Sequence, residues 1–102
     1  LLPLIFVEIP GPGETVRSPL RVTGSANTFE AMFMVRLSTA DGAVLYEQPA
    51  MATSGSGTRG TFDLTIAFDV VEPVDGTLRL WEYSARDGSE INVVEIPLRL
   101  AP

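Results

Sequence analysis

Short runs of alternating apolar and polar residues make up most of this chain, a pattern typical of β-strands. The clearest run spans residues 61–68, where every second residue is apolar: Phe62, Leu64, Ile66 and Phe68. Such alternation predicts a strand with one face in a core and the other in solvent. Two more runs, residues 18–26 and 30–38, predict strands joined by a tight corner at Asn27 and Thr28.

Turn-forming residues divide the chain into seven predicted strands. These cover residues 4–9, 18–26, 30–38, 43–48, 61–68, 77–84 and 90–100, and residues 15–17 add a short extended piece. Pro49 is expected to end the fourth strand. The Pro73 and Asp75-Gly76 signals predict a long corner over residues 69–76.

Three positions predict local irregularities within these strands. Gly24 indicates a bulge or a close approach by a neighbouring backbone. The apolar phase changes at Val93 and Val94, as it does at a β-bulge. Pro97 lacks an amide donor, so it predicts that the last strand lies at a sheet edge. The sixth strand is apolar on both faces, which indicates either a central position or a bulge.

Seven short strands with frequent turns, and no helical periodicity, predict an all-β sandwich of immunoglobulin type, with about seven antiparallel strands in two sheets. The 102 residues are enough for one domain, and we expect residues 1–102 to form it. The chain begins at Leu1 and ends in Ala-Pro, so we expect it to be a piece of a longer protein.

The residue types that are missing restrict the chemistry. The chain contains no cysteine and no histidine, and all seven cations are arginine. It therefore lacks thiolates, the usual general base and any lysine amine. The net charge of −6 argues against nucleic acid and against anionic membrane surfaces. We predict no enzyme activity and no cofactor.

An exposed apolar patch is the first candidate site. Met32 and Met34 alternate with the core residues of the third strand, so they belong to its outer face. With Trp81 and Tyr83 they are predicted to form a contact surface for another domain. The alternative is that a loop or the chain's own edge covers the two methionines.

A loop rim at one end of the sandwich is the second candidate. Strand alternation places residues 26–30, 50–57 and 86–90 at one end, and residues 10–14, 39–42 and 69–76 at the other. The first end carries the candidate ligand residues Asn27, Glu30, Asp87, Ser89 and Glu90.

Two acidic patterns have alternative interpretations. The three Asp-Gly pairs, which begin at Asp41, Asp75 and Asp87, suggest calcium ligands but lack a recognisable spacing, and turns favour the same dipeptide. Glu30 and Glu82 resemble an acid pair of glycosidase type. A structural or solvated role for these two carboxylates is favoured, because the chain also has arginines to pair with them.

The order of several motifs resembles the immunoglobulin-like domain of bacterial spore germination proteins. The matching segments are residues 18–26 (Ser-Pro-Leu-Arg-Val-Thr-Gly-Ser-Ala), 29–30 (Phe-Glu), 41–42 (Asp-Gly), 60–62 (Gly-Thr-Phe), 83–90 (Tyr-Ser-Ala-Arg-Asp-Gly-Ser-Glu) and 94–98 (Val-Glu-Ile-Pro-Leu). The resemblance implies a module of a longer protein outside the bacterial cytoplasm, secreted or anchored in the envelope. That domain often accompanies a GerM-type sporulation and germination domain.

These observations lead to two functional expectations. The first is a non-catalytic module that docks or positions domains of its parent protein or other envelope proteins, with no direct membrane insertion. The second is a carbohydrate- or peptidoglycan-binding module that uses the loop rim, with an aromatic such as Trp81 for stacking.

Overall fold

A computed structural model describes residues 2–102 of the protein, and the described part is built from β-strands. The strands are β1 (Ile5–Ile9), β2 (Thr15–Arg17), β3 (Leu20–Ala26), β4 (Met32–Thr39), β5 (Val44–Met51), β6 (Gly60–Ile66), β7 (Val74–Tyr83) and β8 (Glu90–Ala101). A single 3-10 turn, Phe29–Ala31, precedes β4. Within residues 2–102, none of the helical structure is long and apolar enough to span a membrane.

The strands form two sheets. The smaller sheet has the order β1-β3-β6, and the larger has the order β2-β8-β7-β4-β5. Every strand pair is antiparallel except β2 with β8. The predicted immunoglobulin-like sandwich is therefore confirmed. The short extended piece at residues 15–17 proves to be an eighth strand, because its backbone pairs in parallel with the end of β8.

The core lies between the two sheets and contains the alternating apolar residues that the sequence indicated. Its largest fully buried aliphatic side chains come from both sheets: Ile5, Val22 and Ile66 from the smaller, and Val35, Leu37, Leu78, Leu80 and Leu100 from the larger. Phe33 and Phe62 meet across the sandwich, with ring centroids 4.9 Å apart. Burial of these side chains, at roughly 1.5–3 kcal/mol each, is the main force that holds the sheets together.

Two predicted strand boundaries are wrong. Pro49 does not end the fourth strand, since β5 continues to Met51. A proline is tolerated there because β5 is the edge of its sheet. Asp75 and Gly76 are not a turn but lie inside β7. A Cβ on Gly76 would come within 2.7 Å of the Ser38 carbonyl oxygen, so the glycine allows β4 and β7 to approach.

The predicted irregularities are largely present. A Cβ on Gly24 would lie 2.0 Å from the Phe6 carbonyl oxygen, so the close approach is real. The register of β7 and β8 shifts between Leu80 and Glu82, which places a bulge beside Val93. The edge position inferred from Pro97 is wrong for the end of β8, because β2 pairs with Arg99–Ala101 on its far side.

Candidate functional site

The outer face of the five-stranded sheet changes character along its length. At one end Met34 of β4 lies opposite Pro49 of β5 and Trp81 of β7. Two residues further along β4, Arg36 lies opposite Glu47 and Arg79. Directly opposed residues share a face, so an apolar end adjoins a charged one.

Trp81 is completely buried, although it lies on this outer face. The guanidinium carbons of Arg36 and Arg79 lie over its ring, 4.7 and 4.5 Å from the ring centroid. Tyr83 meets the indole edge-on, with the centroids 6.1 Å apart. Trp81 therefore supports the surface from below. Two predictions for Trp81 are wrong: that it belongs to an exposed contact patch, and that it serves as a stacking platform for sugars. Both fail because these side chains cover its ring.

The two arginines over Trp81 are held in place by carboxylates. Arg36 pairs with Glu47. Arg79 bonds to Glu90 at 2.7 Å and lies 3.5 Å from Glu95. Stacking on an indole combined with an ion pair suits the flat, weakly hydrated guanidinium. Arginines that would otherwise be mobile are thus fixed as a lid on Trp81.

A pocket of about 200 Å³ opens at the apolar end of this face. Its lining is mostly hydrophobic, and two acidic residues complete it: Phe29, Met32, Phe33, Met34, Pro49 and Tyr83, with Glu30 and Glu82. Phe29 is 55% exposed, Tyr83 50% and Met32 38%. Three of the four residues predicted for a contact surface, Met32, Met34 and Tyr83, are thus brought to one pocket.

Glu82 is the buried polar group of the pocket, with 7% of its surface exposed. One carboxylate oxygen accepts a hydrogen bond from the backbone N–H of Phe29 at 3.3 Å. The other accepts one from the Asn92 side-chain amide at 2.7 Å. In the described part of the chain no arginine lies within ion-pairing distance of it. Glu82 thus joins β7, the 3-10 turn and β8.

The 3-10 turn that carries Phe29 is fixed by the loop after β5. Glu30 and Ala31 both have positive φ angles, 54° and 63°, which few residues with a side chain adopt. The Glu30 N–H donates to the Ser56 hydroxyl at 2.8 Å, and the Ser56 N–H donates to the Thr28 carbonyl at 2.8 Å. The loop that follows β5 therefore supports the turn that carries Phe29, and through it the pocket.

The predicted rim residues lie at this end of the sandwich, but most of them are already bonded to other residues of the domain. Asn27 accepts a hydrogen bond from the Gly57 N–H at 2.9 Å. Asp87 accepts hydrogen bonds from the Ser89 N–H and hydroxyl, and these bonds lower the pKa of the Asp87 carboxyl. Glu90 lies on the sheet face and pairs with Arg79. Only Glu30 of this set reaches the pocket.

The acidic turns show no arrangement suited to a metal ion. Asp41 bonds to the Thr39 hydroxyl and to the Ala43 N–H, and the first of these bonds is the main reason why its pKa is lowered. Both contacts are ordinary turn chemistry. Across residues 2–102 there is no group of three or more acidic, cysteine or histidine side chains that could hold a metal.

Comparison with protein families gives a match over residues 4–89 to the immunoglobulin-like domain of bacterial spore germination. The chain belongs to this family. Neither the curated proteins nor the solved structures contain a significant match. Membership of the family agrees with the sandwich fold and supports a non-catalytic module in general terms.

Sequence reasoning missed three residues that shape the pocket of this spore germination domain. The sequence predicts Phe29 only as part of the rim segment 26–30, Pro49 as the end of a strand, and Glu82 as a solvated or structural carboxylate or an acid pair with Glu30. The sequence did carry one signal for Glu82: a carboxylate between Trp81 and Tyr83 in a two-sided apolar strand must find buried partners. Its partners, the Phe29 backbone and Asn92, come from other elements.

Proposed function

We propose that this domain is a non-catalytic docking module that positions partner domains in a bacterial envelope protein. The observation that carries the proposal is the pocket at the apolar end of the five-stranded sheet. Exposed Phe29, Met32 and Tyr83 surround it, and a buried Trp81 supports the same face from beneath. A mostly apolar pocket lined by adaptable methionines and exposed aromatic rings suits a protein partner.

The cellular setting is part of the same proposal. The family description links the fold to bacterial spore germination, which favours an envelope protein outside the cytoplasm. We propose that residues 1–102 act there as one module of a longer chain. Its partners would then be neighbouring domains of that chain or other envelope proteins, with any membrane attachment made elsewhere.

Changing both Met32 and Met34 to Ser tests the docking role. The binding of this domain to the neighbouring domains of its parent protein would be measured by calorimetry. We expect at least about tenfold weaker binding, because two apolar contacts of roughly 1 kcal/mol or more are lost. Val44→Ser with Val71→Ser is the matched control, since both valines are exposed and neither lines the pocket. Equal binding by the methionine variant and the control would remove this face from consideration.

A carbohydrate- or peptidoglycan-binding module is the second candidate. The observation in its favour is that two exposed aromatic side chains, Phe29 and Tyr83, line the same pocket as Glu30. An aromatic ring beside a carboxylate suits a sugar ring and its hydroxyls. A backbone amide NMR titration with peptidoglycan fragments would favour this function if shifts cluster at residues 26–30, 50–57 and 86–90.

A further inference from the structure

The charge of the pocket indicates what kind of group it accepts. We infer that the pocket binds an arginine side chain of the partner protein, with its guanidinium placed between the aromatic rings and the two carboxylates. This inference rests on the proposed docking function and adds the chemistry of the contact. It concerns Phe29, Glu30, Glu82 and Tyr83, which all line the pocket.

The first argument is the unbalanced charge of Glu82. A buried carboxylate is costly unless it is paired with a cation or fully hydrogen-bonded. A carboxylate offers about four acceptor positions, and the hydrogen bonds to Phe29 and Asn92 occupy two of them. A cation that enters the pocket would find remaining acceptor positions at a site already removed from water.

The second argument is that the domain's own arginines on this face are already occupied. Arg36 is bound to Glu47, and Arg79 is bound to Glu90 and lies close to Glu95. Both are also stacked on Trp81. The negative charge of Glu30 and Glu82 is thus left without an ion pair among the described residues. The net charge of −6 adds a general attraction for a basic partner.

The third argument is the composition of the pocket wall. Aromatic rings and thioethers favour the flat, weakly hydrated guanidinium over the strongly hydrated lysine ammonium. The same face already shows this chemistry inside the domain, where two arginines lie on an aromatic ring and pair with carboxylates. At about 200 Å³ and open to solvent, the pocket has room for the end of an arginine side chain.

The experiment compares two probes that differ in charge but little in shape. N-acetyl-arginine amide and N-acetyl-citrulline amide would be titrated into the domain and followed by amide NMR. We expect arginine-dependent shifts at residues 29–30 and 82–83, with millimolar affinity, and at least about tenfold weaker binding of citrulline. Equal shifts with both probes, or no shifts at these residues, would overturn the inference.

Two variants show whether the carboxylates are responsible. Glu30→Gln lies at an exposed position and should weaken arginine binding severalfold without changing the fold. Glu82→Gln should weaken it further, and its amide spectrum reports whether the domain remains folded. Unchanged arginine binding in folded Glu82→Gln would also contradict the inference. If the methionine variant loses its partner while arginine causes no shift, docking stands and only the arginine assignment fails.

Discussion

The two outer faces of the sandwich are built on different principles. On the three-stranded sheet, Arg21 pairs with Asp63 at 2.7 Å, and both side chains are more than half exposed. On the five-stranded sheet, Arg36 and Arg79 lie over Trp81, which has no exposed surface. One face is an ordinary solvated surface, and the other carries a second apolar layer outside the core.

This difference explains why an arginine paired with a carboxylate contributes a different amount to stability on each face. An exposed ion pair is screened by water and contributes little. An arginine that covers an indole removes apolar surface from water and holds its charge near a carboxylate at the same time. The face with the arginine-covered tryptophan is also the one that carries the pocket, whereas Arg21 and Asp63 on the other face stay largely in solvent.

The substitution expected to have the largest effect removes that layer. Trp81→Ala should destabilise the domain by about 3–5 kcal/mol, the range for a large buried aromatic residue, although the residue lies outside the main core. Urea unfolding at neutral pH would measure the change. If Trp81→Ala lowered the free energy of unfolding no more than a substitution at an exposed position does, the apolar layer would not stabilise the domain. The two outer faces would then not differ in the way described above.

Removing the buried carboxylate should have the next largest effect. Glu82→Ala would leave the Phe29 N–H and the Asn92 amide without their partner, and each unsatisfied group costs about 1–3 kcal/mol. Unfolding curves would give the total, and hydrogen exchange at Phe29 would show whether the 3-10 turn opens. Glu30→Ala is the matched control, because its carboxylate is exposed. Similar losses in both variants would contradict a special role for Glu82.

Removing one of the covering arginines should have a smaller effect. Arg79 is 19% exposed, stacks on Trp81 and binds Glu90. Arg79→Ala should cost about 1 kcal/mol through lost packing and cation–π contact. It should also expose the indole and shift its fluorescence to longer wavelength. A fluorescence spectrum like that of the wild type would mean that Arg79 does not shield Trp81.

The solvated face should show the smallest effect, and an effect that depends on pH. The hydrogen bond from Arg21, together with its charge, lowers the pKa of Asp63. A lowered pKa stabilises the folded state above the unfolded value of roughly 3.9, and this stabilisation is lost as the pH falls through the lower folded pKa. Asp63→Asn should thus be slightly less stable at neutral pH and equal to the wild type in strong acid, as measured by urea midpoints. A difference in urea midpoint that persists in strong acid would show that the effect comes from packing and not from the charge of Asp63.

Local alternation was enough to predict the fold, because each strand buries every second residue whatever its partner is. Phe62 and Ile66 face the core for this reason alone. It was not enough for Trp81, whose burial depends on arginines from β4 and from β7 itself. Nor was it enough for Pro49, which remains within a strand only because β5 has no neighbour beyond it.

The candidate site was half predictable for the same reason. Met32 and Met34 follow from the phase of a single strand. The positions of Phe29 and Glu82 depend on a backbone turn with positive φ angles and on hydrogen bonds between elements far apart in the chain. Asp87 and Glu90 are predicted as rim ligands from the order of the loops alone, which does not reveal that Ser89 and Arg79 of the same hairpin bond to them.

The parallel pairing of β2 with β8 has a mechanical consequence. Thr15, Val16 and Arg17 lie beside Arg99, Leu100 and Ala101. Tension that pulls β2 towards its amino end and β8 towards its carboxyl end would act along the strands in opposite directions. Their hydrogen bonds would then be loaded together, in shear, instead of opening one after another as in an unzipped hairpin. We expect a domain stretched in this way to resist force before its sheets separate.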